Sequence, residues 1–259
     1  MCSGGGARGA YEAGIIKYLR EELPASVQPQ VHFDVLCGTS VGAITCCFLA
    51  ASADTPAEQG TRLAEFWSEL QLDRVYRVDG EDLWTITRKL WNLRRGDLRP
   101  EGWRLYDLIH LAPLEEMVRT RIPWPRISAN LAKRALGALS LSTTRVADGK
   151  TVVFVQTRDG VVPPWSRDPF TEARYAVVGS EHALASAAIP MLFKSVHIGD
   201  EYFCDGSVRQ NTPLSPALRL GAERVLILTL RYRPPGGLPP PKKMASYPST
   251  PVLMGKVLK

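Results

Sequence analysis

An α/β fold built on a mostly parallel central sheet is predicted for this chain of 259 residues. Two observations carry the prediction. A glycine-rich loop, a helical stretch, a short apolar strand, a tight turn and a second helix follow one another within the first fifty residues. The apolar strand also runs straight into a serine set between two glycines, the junction at which such sheets hand over to helices. A composition of 45% hydrophobic and 22% charged residues is that of an ordinary globular chain with enough core for one large domain.

The elements are read in chain order. "ARGAYEAGIIKYLREEL" has helical apolar spacing at Ala10, Ala13 or Gly14, and Tyr18, and ends before Pro24. Val31 to Cys37 reads as a buried strand, and "SVGAITCCFLAAS" as the apolar helix after it. Residues 57–70 and 113–121 are expected to be helical. "ALSLSTTRV" and "TVVFVQT" read as strands joined through Asp148-Gly149, and "FKSVHIGDEYFCDGS" as two short strands meeting at Gly199-Asp200. A helix is expected to start at Pro213, and "RVLILTL" (224–230) is expected to be a buried strand. The prolines and glycines of 233–250 predict an extended loop.

Charge and cysteine content exclude several classes. The net charge of +6 is mild and no long Lys/Arg tract is present, so nucleic acid is not an expected partner. Cys2, Cys37, Cys46, Cys47 and Cys204 are odd in number, sit mostly in apolar runs and lack metal-ligand spacing; buried free thiols are expected. No apolar run approaches the ~18 residues of a membrane span. The chain opens on the glycine loop with no apolar strand before it, and stops in "PVLMGKVLK", the opening of an amphipathic helix. Both ends are therefore expected to be cut from something longer, and a secretion signal ahead of Met1 stays open.

Gly38-Thr39-Ser40-Val41-Gly42 fits the G-x-S-x-G elbow in the strand-to-helix context the mechanism needs. A serine on so sharp a turn requires small neighbours two positions to either side. The following helix aims its N-terminal N–H groups at the place where negative charge develops in acyl transfer. Gly4-Gly5-Gly6-Ala7-Arg8-Gly9 also satisfies G-x-G-x-x-G. A dinucleotide fingerprint would want an acidic residue closing the second strand, whereas Asp34 stands near the strand's start. The other reading is an oxyanion hole, in which bare backbone N–H groups approach a tetrahedral intermediate and Arg8 adds a fixed positive charge.

The proton acceptor for Ser40 is less legible. His32, His110, His182 and His197 have no motif around them, and a Ser–His–Asp triad would call on His182 or His197. Asp205 directly follows a strand, but the Asp205-Gly206 pair serves equally well as a plain turn.

Taken together, "SGGGARGAYEAG", "GTSVGA", "AAIPMLF" and "CDGSVRQNTPLSPALRLGAERVLIL" resemble the patatin-like phospholipase family over nearly the whole chain. The resemblance implies a three-layer fold with helices on both faces of the sheet, in a single hydrolase domain over 1–259. It implies Ser40 as nucleophile, Asp205 as base and then acid, and Gly4, Gly5, Gly6 and Arg8 as the oxyanion loop. Gly38 and Gly42 flank the nucleophile; Gly206 and Ser207 stand where that family has Asp-Gly-Gly or Asp-Gly-Ala. The substrate class implied is a lipid carboxyl ester, met in the cytoplasm or at a membrane or micelle surface. No metal or cofactor is implied, because a dyad and an oxyanion loop complete the chemistry. A lipid-binding protein of the same fold without turnover is the alternative from another class. Residues 81–103 interleave Trp84 and Trp91 with Arg88, Lys89 and Arg95 beside an apolar face of Leu83, Ile86, Leu90 and Leu93, and read as a lid or interface segment.

Overall fold

The computed structural model describes residues 1–5, 8–69, 112–165, 168–190 and 192–229. The expected lid at 81–103 and the loop at 233–250 lie outside the described residues, as does Gly6.

Helix α1 (Gly9–Lys17) starts where the glycine loop ends, and a π-helical turn over Tyr18–Glu22 carries it to Leu23. Strand β1 (Val35–Thr39) follows, shorter at its start than the Val31–Cys37 expected and longer at its end. Its partner β2 begins only at Ala138, opposite Val35, so the backbone before Val35 has no ladder to join. Helix α2 (Val41–Ala51) is buried at every position, as its unbroken apolar sequence demands. Helices α3 (Gln59–Glu69), α4 (Ala112–Arg121) and α5 (Pro125–Ala132) come next, then strands β2 (Ala138–Arg145), β3 (Thr151–Thr157) and β4 (Thr171–Tyr175). Helix α6 (Ser180–Ala187), strands β5 (Val196–Ile198) and β6 (Glu201–Asp205), and helix α7 (Leu214–Arg219) complete the described elements.

The sheet is mixed rather than uniformly parallel. Pairings β1–β2 and β3–β4 are parallel, whereas β2–β3, β2–β6 and β5–β6 are antiparallel. The reason is local: the tight turns at Asp148-Gly149 and Gly199-Asp200, with Gly149 and Gly199 at φ 69° and 61°, leave no room for the crossover that parallel strands need. Parallel order holds for β1–β2 and β3–β4, and Cys2 also bridges Gly38 and Leu228 in parallel.

The segment 224–229 departs most from expectation. Only Leu228 is buried, Leu226 and Ile227 are exposed, and the backbone joins the chain's start through a bridge with Cys2 and bonds with Met1 and Ser3. Three residues of partner backbone cannot bury both faces of a strand.

The main core lies around α2, where Ile44, Leu49, Leu63, Phe66, Ile127, Leu131 and Leu139 meet. The five cysteines are all buried free thiols, as expected. The carboxyl of Glu12 is also sealed inside, next to this core. Glu12 on α1 is fully buried beside Thr45 and the Ser3 backbone, and burial pushes its carboxyl up to about 9, so it is neutral at pH 7. An unfolded glutamate titrates near 4.5, so the native state holds the extra proton between these values and stability falls as pH rises through that window. Glu12→Gln removes this dependence. Its stability advantage over the parent in urea melts is expected to grow from pH 5 to pH 9, reaching a few kcal/mol. An equal response of both proteins to pH would refute the assignment.

Candidate active site

The long strand β2 explains how residues from opposite ends of the chain meet. One edge of β2 is taken by β3 over Ala138–Thr144. On its other edge β1 runs parallel over Ala138–Ser142, and β6 continues antiparallel over Thr143–Arg145. The two strands point at each other, so their C-terminal ends converge: Thr39 pairs with Ser142 and Asp205 with Thr143.

Ser40 leaves β1 with φ 56° and ψ −128°, a left-handed backbone that a serine adopts at a cost of about 1–3 kcal/mol. The flanking glycines show why nothing larger fits. A Cβ on Gly38 would lie 2.5 Å from the Gly42 carbonyl oxygen, and one on Gly42 would lie 2.4 Å from the Cys2 carbonyl oxygen. The turn aims Ser40 Oγ at Asp205, to whose Oδ2 it donates a hydrogen bond of 2.6 Å. Both residues are buried, Asp205 completely.

Asp205 is itself held on several sides. Its Oδ1 accepts from the Ser207 N–H at 2.7 Å, its N–H donates to the Ala188 carbonyl at 2.8 Å, and its carbonyl accepts from Thr144 Oγ1 at 3.0 Å. Gly206 lets the chain turn across β2, since a Cβ there would stand 2.2 Å from the Ser142 carbonyl oxygen. Burial raises the Asp205 pKa above the ordinary carboxylate value, and the bonds from Ser40 and Ser207 partly oppose it. The result is a carboxylate more basic than a solvated one, in contact with a hydroxyl.

The glycine loop closes the site from a third direction. A Cβ on Gly4 would meet Asn211 Oδ1 at 2.5 Å, Ser40 Cβ at 3.0 Å and Ser207 Cβ at 3.3 Å, so only glycine permits this approach. Gly4 N–H donates to the Asn211 carbonyl at 3.2 Å, and Arg8 ties the loop back through its N–H and Nε to the Gly5 carbonyl. Sequence reasoning missed Asn211, although it lies within the "CDGSVRQNTPLSPALRLGAERVLIL" run, and Ser186, whose Oγ accepts the Ser40 N–H at 3.0 Å and which stands in no pattern that marks it.

The described histidines stand elsewhere, and His110 lies outside the described residues. His182 is buried, accepts the Gly179 N–H at 3.1 Å and meets the Phe154 ring, and burial lowers its pKa. The His197 ring meets Tyr202 at a 50° tilt with centroids 4.7 Å apart, and His32 pairs with Asp34 at the surface. The group that accepts the Ser40 proton bond is Asp205, which disfavours a triad through His182 or His197. A cavity of about 1240 Å³ opens near the start of β1 between Val35, Leu36, Leu226 and Leu228; Ser40 and Asp205 are not among its walls. Chemistry rather than volume locates the site.

The patatin-like phospholipase family model matches residues 1–218, a span that contains the glycine loop, the elbow, Asp205 and Gly206. The chain belongs to the patatin-like phospholipase family. The patatin-like phospholipase family is one of lipid acyl hydrolases, and the α/β architecture of a mixed sheet with helices agrees with membership in it. Among solved structures it is similar to VipD from Legionella pneumophila, with 17% identity and a TM-score of 0.39. That similarity covers 82% of this chain and 46% of the VipD chain, so the patatin-like chain spans less than half of that protein's length. No curated protein matches it. Among the described residues no helix is long and apolar enough to cross a membrane.

Proposed function

We propose that this chain, as a single hydrolase domain over 1–259, hydrolyses carboxyl esters of lipids through a Ser40–Asp205 dyad and an acyl-enzyme. The hydrolysis is of phospholipase A, lysophospholipase or esterase type. The observation that carries the reading is the 2.6 Å hydrogen bond from Ser40 Oγ, on a strained elbow, to a buried carboxylate of raised pKa. As Ser40 Oγ attacks the ester carbonyl, its proton passes to Asp205 Oδ2 and the carbonyl electron pair moves onto oxygen. The loop of Gly4, Gly5, Gly6 and Arg8 and the first N–H groups of α2 hold that oxyanion. Gly4's own amide is directed to Asn211, so it contributes by letting the loop approach. Collapse of the intermediate expels the alcohol, which takes the proton from Asp205. Water then attacks the acyl-enzyme, gives a proton to Asp205, and the fatty acid leaves as Ser40 recovers its own. Substrate is drawn from a lipid or micelle surface.

The test is a fluorophosphonate probe with peptide mapping. The phosphonyl group is expected on Ser40, and hydrolysis of a short p-nitrophenyl ester is expected to be unchanged by a calcium chelator. A folded chain that takes no label at Ser40 would sink the reading.

A further inference from the structure

Both halves of the dyad are tied to one short piece of backbone that the reaction does not use. Ser186, on the last turn of α6, is fully buried. Its Oγ accepts the backbone N–H of Ser40 at 3.0 Å and donates to the carbonyl of Ser142 at 2.7 Å. Two residues on, the carbonyl of Ala188 accepts the backbone N–H of Asp205 at 2.8 Å. Ser142 is the β2 residue paired with Thr39, next to the Asp205 partner Thr143. The tripeptide Ser186–Ala188 thus grips the amide of each dyad member, and braces the grip on the strand between them.

The direction of each bond follows from the groups present. An amide N–H can only donate and a backbone carbonyl can only accept, so the single Ser186 proton goes to Ser142 and a lone pair is left for Ser40. The hydroxyl is therefore locked in one rotamer. Ser40 needs such a lock, because its φ of 56° is a conformation the chain leaves unless something holds it.

We propose that the turn Ser186–Ala188 is a splint that sets the distance between Ser40 and Asp205, with Ser186 as a positioning residue acting through the Ser40 amide. The proposal rests on the dyad reading above. It also directs the Ser40 N–H away from oxyanion binding, leaving that work to α2 and the glycine loop. Ser186→Ala removes an acceptor and a donor together and leaves the buried Ser40 N–H without its partner. The strained turn then relaxes and Ser40 Oγ draws away from Asp205.

The variants Ser186→Ala, Ser186→Cys and Ser186→Thr are compared with the parent for fluorophosphonate labelling rate at Ser40, for kcat and KM on a short p-nitrophenyl ester, and for the acid limb of the pH profile. Misplacement of a reacting group by an ångström costs about 100-fold. Ser186→Ala is expected to lose labelling rate and kcat on that scale, with KM within about twofold. Its acid limb is expected at higher pH, because the Ser40 hydroxyl bond that holds the Asp205 carboxylate down is weakened. Cysteine, a weak acceptor and donor, should fall between, and threonine, which keeps the hydroxyl, should recover most of the rate in whatever fraction folds. Normal labelling and an unmoved limb in Ser186→Ala would overturn the splint alone. So would a loss in Ser186→Ala that tracks only its unfolded fraction, or a folded Ser186→Thr that labels no faster than folded Ser186→Ala. A parent that is folded yet unlabelled at Ser40 would overturn the dyad reading, and the splint with it.

Discussion

Asp205→Asn is expected to lower kcat/KM for ester hydrolysis by about 1,000-fold in a protein that still folds, within the range typical for removal of a general base. Asparagine preserves the size of the side chain and offers an oxygen to the Ser40 hydroxyl, but it cannot take the proton as Oγ attacks. The pH profile sharpens the test. Burial raises the Asp205 pKa and the Ser40 and Ser207 bonds only partly oppose it, so the basic form is lost as pH falls through a value above the ordinary carboxylate range. The parent should show an acid limb there and the asparagine variant should show none. Retention of more than about a tenth of the activity would remove Asp205 from the mechanism.

The second large effect concerns the backbone beneath that aspartate. Gly206→Ala is expected to destabilise the protein by about 3 kcal/mol or more, at or beyond the upper end for overpacking, and to reduce Ser40 labelling in the fraction that folds. The added methyl would sit 2.2 Å from the Ser142 carbonyl oxygen and 3.1 Å from the Thr143 N, both backbone atoms of a paired strand. Ser142 cannot give way, since its carbonyl also accepts from Ser186 and its neighbours pair on both edges. Gly14→Ala is the matched control: a Cβ there meets nothing within 4 Å on the surface of α1. Helix propensity should make it stabilising by about 0.5–1 kcal/mol. Urea melts of the two variants would separate steric from conformational effects, and equal melts would refute the clash.

Elements with a strong local pattern were legible. The helices α2 and α3 and the strands β2, β3, β5 and β6 stand where apolar runs and Asp-Gly or Gly-Asp turns place them. Three short elements, α5, β4 and α6, have no such marking. Helix α5 has only eight residues, and β4 is a half-buried run of Thr-Glu-Ala-Arg-Tyr held by its pairing to β3 and by the Arg174 pairs with Glu172 and Glu201. The 224–229 run shows the converse: its β-branched and leucine content predicts a buried strand, yet burial needs neighbours on both faces, and the run lies against the three residues Met1, Cys2 and Ser3 with only Leu228 reaching the core.

The sequence by itself marked Ser40 as the proposed nucleophile, because a strained turn makes steric demands within two residues of it and these appear directly as Gly38 and Gly42. It determined the glycine loop for the same reason, at Gly4. The hydrogen-bond partner of Ser40 Oγ, and so the proposed base, emerges only in three dimensions. Asp205 lies 165 residues from Ser40, and an Asp-Gly pair is locally indistinguishable from any turn. What singles it out is that β1 and β6 share one edge of β2 and run toward each other, so that their ends abut in a place closed to water. Pairing topology of that kind is a property of the assembled sheet, and so are the burial that raises the carboxylate and the Ser186–Ala188 turn that grips both amides.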